Sequence, residues 1–215
     1  MAGPSVDDPD ELLPPYEGIR LADVRIVRTP VEAAAALAAL SQADVVGFDT
    51  ESKPTFAKGE VSTGPHLVQL ATDELAYLFQ IGSAASAQVA LAVLKPVLES
   101  ENILKVGFGL GDDLKRLRSK LGIETRSVLD LATAMRRRGE RNTLGAKTAV
   151  ARYFGQRLQK SRRITTTNWA LPQLSEKQVL YAADDAHVAL RLYRHWRANP
   201  PADDANAKPP ARRAS

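Results

Sequence analysis

Apolar residues recur along the chain in two rhythms, short unbroken runs and helical spacings, and their alternation predicts a layered α/β fold. Ala22–Val27, Val45–Phe48 and Ile103–Phe108 have the length and β-branched content of buried strands. His66–Ala71 and Leu75–Ile81 flank Thr72-Asp73-Glu74, the signature of an antiparallel hairpin. Thr29-Pro30-Val31-Glu32 is a capping box with proline at the first helical position, opening an Ala/Leu-rich helix to about Leu40. Helical spacing returns over Ser86–Glu99, where Pro96 is expected to disturb the last turn. It returns again from Gly111 to Leu121, around 131–138 and 143–155, and from the capping box Ser175–Gln178 to about Ala198. Ser127–Leu131 reads as a short strand or turn, and Ser52–Pro65 as a loop. Strands come early and helices late, which implies a mixed sheet with helices on both faces.

The ends depart from this pattern. Residues 1–20 are acidic and Pro-rich, with only Leu12, Leu13 and Tyr16 as anchors, and are expected to form a flexible arm. The Pro/Ala-rich residues 199–215 are expected to form a disordered tail, leaving 21–198 as the folded domain. At 215 residues, 44% hydrophobic and 25% charged, the chain has the makings of one sizeable core. The absence of cysteine excludes disulfides and thiolate–zinc sites. No apolar stretch approaches the ~20 residues that span a bilayer, and the start does not resemble a secretory leader. The expected location is cytoplasmic, without membrane attachment. A net charge of +4 and a pI near 9.4 add modest weight to a polyanionic partner.

Acidic residues within this apolar frame suggest the chemistry. Asp49 and Glu51 sit two apart at the end of the Val45–Phe48 run, so both project from one face of a strand. Tyr181 and Asp185 lie one turn apart on the last helix, and Asp113 opens the helix after the Ile103–Phe108 strand. Taken singly, Asp113 reads as a helix-start residue, Asp185 as a solvated position and Tyr181 as core. Taken together, four carboxylates without histidine or cysteine form an all-oxygen set suited to magnesium or manganese. Two such ions stabilise the attacking and leaving oxygens of a phosphoryl displacement, while a phenol can aim the attacking water.

Val45-Val-Gly-Phe-Asp49-Thr-Glu51, Lys105-Val-Gly-Phe-Gly-Leu-Gly-Asp-Asp113 and Tyr181-Ala-Ala-Asp-Asp185 resemble, in order, the three motifs of the DEDD superfamily of 3′–5′ exonucleases. The chain looks like the tyrosine-containing branch, which includes RNase D and the Werner syndrome protein exonuclease domain. The resemblance covers roughly residues 22–197 and implies an RNase H-like fold, a mixed β-sheet flanked by helices. It implies two divalent metal ions, Mg2+ or Mn2+. Asp49, Glu51 and Asp185 would hold the first and Asp49 would bridge to the second, with Asp113 supporting it directly or through water. Tyr181 would position the nucleophilic water. Free 3′ ends of DNA or RNA would be shortened with release of 5′-monophosphates. Asp112 and Asp184 adjoin two of these positions; the four-residue step from Tyr181 favours Asp185, and the glycine register of the second motif favours Asp113.

Basic residues crowd the same regions: Lys53, Lys58 and His66 near the first motif, Lys105, Lys115 and Arg116 near the second. A dense set runs from Arg136 to Arg163, then the polar run Thr165–Asn168 and Trp169. Each run alone is more often a solvated face. Together they nominate Lys53, His66, Lys160, Arg162, Arg163 and Trp169 as nucleic-acid contacts, with Phe56 and the Leu67 region as weaker wedges for the 3′-terminal nucleotide. Trp169 reads equally well as core. Ser52 stands where many Werner-like members carry tryptophan after the motif-one glutamate. Two other readings share these features: a non-catalytic nucleic-acid-binding member of the same fold, and a magnesium-dependent phosphatase.

Overall fold

The computed structural model describes residues 12–55, 62–137 and 139–200. Phe56, Lys58 and Arg138 lie outside them, as do residues 1–11 and 201–215. Six strands form one sheet: β1 (Val24–Val27), β2 (Val45–Glu51), β3 (Leu67–Ala71), β4 (Ala76–Gln80), β5 (Leu104–Gly107) and β6 (Val128–Asp130). Their order is β1-β4-β3-β2-β5-β6. The hairpin β3–β4 and its neighbour β2 pair antiparallel, whereas β1, β5 and β6 join as parallel strands. The sheet is therefore mixed, as expected from the alternation of runs.

Side-chain parity assigns each strand residue to a face. Val46, Phe48, Val68, Leu70, Tyr77 and Phe79 point to the side covered by α1 (Pro30–Leu40) and α2 (Ala84–Leu98). Leu67, Ala71 and Leu78 point to the other side, where α7 (Glu176–Ala198) lays Ala182, Ala183 and Ala186 across the sheet. Alanines at that contact let the helix approach closely. Gly47 carries the approach further: a Cβ there would run into the Ala186 carbonyl oxygen. α5 (Ala146–Phe154) then packs on the outer end of α7 through Ala149, Val150, Val188 and Leu192.

Several boundaries differ from expectation for identifiable reasons. The Val45 strand continues through Glu51 because β3 pairs with it to that residue, so both acids lie inside the strand. α2 starts earlier than Ser86, capped reciprocally by Ser83 and Ser86, and keeps Pro96 within its final turns. The helix after β5 is α3 (Gly111–Arg116), which widens into a π-helical turn over Leu117–Leu121. The helix expected around 131–138 is the single turn α4 (Leu131–Ala134), and α6 (Arg162–Thr165) was not anticipated.

The arm expected over residues 1–20 is packed over its described part. Tyr16 and Ile19 are buried, and Tyr16 N–H donates to the Arg157 carbonyl at 3.0 Å. The Tyr16 ring stacks on Phe154 at 6.0 Å, with the Arg191 guanidinium 5.1 Å from its centroid. Ile19 N–H donates to Asp184 on α7 at 3.2 Å. One aromatic and one isoleucine outweigh the polar character of their neighbours.

Candidate active site

β2 and α7 build the site together. Asp49 and Glu51 share the α7 face of β2, and the close seating of α7 at Gly47 brings Asp185, the residue beside Ala186, over them. One carboxylate oxygen from each of Asp49, Glu51 and Asp185 lies within 4.8 Å of the others. Burial, then the charges of Asp185 and Asp113, raise Asp49 well above the usual carboxylate range. Burial, then Asp49 and Asp185, push Glu51 up to about 9. Asp185 is raised by burial, although the Lys160 ammonium and the Tyr181 hydroxyl pull it part of the way back. Three crowded acids of this kind call for a cation, and hard oxygen donors suit a divalent ion such as magnesium or manganese.

Lys160 is the cation found there. Its Nζ donates to Asp185 Oδ1 at 2.7 Å and sits 5.7 Å from the Tyr181 ring centroid. Burial works against its charge, but Asp185, Tyr181 and Asp49 outweigh burial and hold its pKa above the ordinary lysine value. The acids are thus not locked by arginine forks; a single flexible lysine balances one of them.

Tyr181 stands one turn before Asp185, and its hydroxyl hydrogen-bonds with the Thr165 hydroxyl at 2.9 Å. Burial, then Asp185, push the phenol to about 12, so it stays protonated near neutrality. Asp113 stands apart from the three-carboxylate group. Its Oδ1 accepts the Thr50 hydroxyl at 2.5 Å and lies 3.7 Å from Arg116 Nη1. The neighbouring acids point elsewhere: Asp112 is exposed and paired with Lys115 at 3.1 Å, and Asp184 is held by Ile19.

Two expected substrate contacts are corrected, and a basic residue noted near the second motif proves to be buried. His66 is buried, with Nδ1 accepting Lys53 N–H at 3.0 Å and Nε2 3.1 Å from the Thr63 hydroxyl, so both ring nitrogens are engaged inside the protein. Trp169 is 1% exposed, donates Nε1–H to the Thr165 carbonyl at 3.3 Å and packs 6.0 Å from the Tyr181 ring. It supports the tyrosine and offers no face to a base. Lys105 is fully buried, with Nζ on the carbonyls of Ser100 and Ile103 at 2.6 and 2.7 Å. Lys53 and Arg163 are exposed, and Arg162 opens α6 with its side chain outside the described part.

Sequence reasoning missed the groups that aim the acids. Thr50 and Thr165 hold Asp113 and Tyr181 through their hydroxyls. Asp130 accepts N–H groups from Gly109 at 2.9 Å, Leu110 at 3.0 Å and Ala132 at 2.9 Å, fixing the turn that delivers Asp113. A capping aspartate just before a helix was the available signal for Asp130; the two threonines had none.

The sequence pattern of the 3′–5′ exonuclease family matches residues 24–198. The mouse bifunctional 3′-5′ exonuclease/ATP-dependent helicase WRN is 31% identical over 156 residues, 72% of this chain and 11% of that protein. A 3′-5′ exonuclease of Arabidopsis thaliana is 29% identical over 154 residues, 69% of this chain and 51% of its own length. This chain thus spans from about a tenth to about half of these two curated relatives. Among solved structures, the Aedes aegypti Nibbler EXO domain superposes with a TM-score of 0.69 at 26% identity, covering 84% of this chain and 90% of that one. Trypanosoma brucei RNase D in complex with RNA U12 gives 0.73 at 21% identity, covering 85% and 64%. These likenesses establish the RNase H-like fold. No helix among the described residues is long and apolar enough to cross a membrane. The family pattern begins with the first residue of β1 and ends with the last of α7, so it takes in the whole sheet and both helical layers, and the chain belongs to the 3′–5′ exonuclease family.

Proposed function

We propose that the chain shortens DNA or RNA from a free 3′ end, releasing 5′-monophosphates, through two magnesium or manganese ions held by Asp49, Glu51, Asp185 and Asp113. The observation that carries this reading is the convergence of three half-buried carboxylates from β2 and α7 to within 4.8 Å. The ions would supply activation of water and neutralisation of the charge that grows on the departing 3′ oxygen. Asp49, which feels the charges of both Asp185 and Asp113, is the acid that would serve both ions. Asp113 would support the second ion, directly or through water, on giving up its Thr50 and Arg116 contacts.

Tyr181 hydrogen-bonds and orients the attacking water as an intact phenol, in keeping with a pKa pushed up to about 12. Thr165 and Trp169 keep that ring in place. Lys160, paired here with Asp185, would be released where ions hold the acids and would then be available to bind the scissile phosphate. Lys53, Arg162 and Arg163 extend the path for the backbone of the nucleic acid.

The test is a 5′-labelled oligonucleotide with Mg2+ or Mn2+, run in parallel on RNA, single-stranded DNA and 3′-recessed DNA. A ladder shrinking from the 3′ end is expected, abolished by EDTA and by Asp49→Ala or Asp185→Ala. Tyr181→Phe should retain metal and lose about 10²-fold in rate, the scale of a positioned proton-handling group. Shortening that survives both aspartate substitutions would reject the site. Tight binding without shortening in either metal would identify a non-catalytic binding member of the fold instead.

A further inference from the structure

Gln69 lies in the middle of β3 with 0% exposure, and neither its Oε1 nor its Nε2 has a hydrogen-bond partner among the described residues. Burying an amide without partners is costly, and native interiors rarely tolerate it without a reason. Nothing in the packing asks for polarity here. Gln69 sits between Leu67 and Ala71 on the α7 face, with Leu78 beside it on β4 and the α7 alanines above.

The register supplies the reason. Gln69 is paired directly with Asp49 across β2 and β3, and opposed residues of an antiparallel pair project from the same face with Cβ atoms ~4.5–5.5 Å apart. The unpartnered amide therefore shares a face, at cross-strand contact distance, with the central carboxylate of the site. Asp49 Oδ1 is already committed to the Thr50 N–H at 2.9 Å. A donor for the remaining acceptor positions of Asp49 is what Gln69 can offer, and two N–H bonds from Nε2 give it the means.

We propose that Gln69 is a positioning residue for Asp49: its amide donates to the Asp49 carboxylate when cations gather the acids, fixing the orientation from which that carboxylate serves both metals. This role rests on the metal-dependent reading given above. It explains why the side chain is polar and why it is neutral. A lysine or arginine in the same place would pair with Asp49 and compete with the metal, whereas an amide orients the carboxylate without cancelling its charge. Such outer hydrogen bonds to a ligating carboxylate commonly set metal affinity.

The experiment is calorimetric titration of Mn2+ into wild type and Gln69→Met, without nucleic acid, together with thermal melts in EDTA and steady-state cleavage of an oligonucleotide. Methionine keeps the length and volume of glutamine and removes both polar atoms. The metal-free variant is expected to melt at or above the wild-type temperature, because an unpartnered amide has been removed from the core. Mn2+ affinity should fall about 10–100-fold, and kcat should fall while KM for the oligonucleotide stays within about twofold of wild type. Wild-type Mn2+ affinity in the variant would overturn the proposal and leave the exonuclease reading intact. Wild-type protein that takes up no Mn2+ would overturn both. Should Gln69→Met fail to fold, the same titration on Gln69→Leu decides between these outcomes.

Discussion

Burial and the charges of Asp49 and Asp185 hold the Glu51 carboxyl at about 9 in the metal-free protein, against ~4.3 in an unfolded chain. Between those two values the folded state keeps a proton that the unfolded state has released. Metal-free protein should therefore lose stability steadily as pH rises from about 4.3 toward 9, with Asp184, raised by burial to about 6, adding to the same trend. Glu51→Gln mimics the protonated acid. In EDTA at pH 8 it is expected to melt higher than wild type and to show a flatter pH profile. Mg2+ should stabilise wild type, increasingly at higher pH because ligation releases protons, and should raise the melting temperature of Glu51→Gln much less. Melts from pH 5 to 9 check this, and equal slopes for the two proteins would remove the Glu51 argument. Paired acids at the end of an apolar run have no cheap packing explanation, so the placement of Asp49 and Glu51 on one face of a strand was legible in the sequence. Trp169 could not, because a tryptophan beside a polar run looks the same whether it faces solvent or, as here, props a tyrosine.

Two elements, β2 and α7, decide whether the acids meet, and their spacing is set at Gly47. Gly47→Ala would drive a methyl group into the Ala186 carbonyl and force α7 off the sheet. Overpacking of this kind costs about 1–3 kcal/mol, and more where backbone is the obstacle. Asp185 adjoins the displaced residue, so Mn2+ affinity should fall together with the melting temperature. Ala182→Gly offers the control: it loosens the same helix without pushing it away, and should lower stability with a smaller effect on metal uptake. Calorimetry on both variants separates the two. The existence of the strands, the capping boxes at Thr29 and Ser175 and the length of α7 were all legible, since each rests on local chemistry. The strand order was not, because pairing β1 beside β4 joins segments whose sequences carry no mark of each other. The burial of Lys105 was equally hidden: β5 is covered on both faces, so polarity no longer alternates along it, and the ammonium is satisfied by carbonyls of the turn just before it.

Across the whole molecule, the basic surface is thinner than the count of arginines suggests. Arg152 is held by Glu140 at 2.6 Å, Arg126 by Glu101 at 2.6 Å, and Arg194 joins Asp44 and Asp73 at 2.6 and 3.1 Å. Cations committed in this way add little to a phosphate track; Lys53 and Arg163 stay exposed, and Lys160 is held by Asp185 at 2.7 Å. The segment before β1 reaches this region by another route. Ile19 grips Asp184, the immediate neighbour of Asp185, while Tyr16 is clamped between Phe154 and Arg191. A polypeptide cut back to Leu21, or fused to an affinity tag there, would strip this brace from α7. Such trimming removes a contact one peptide bond away from Asp185, so the packed unit takes in Tyr16 and Ile19 as well as the first strand.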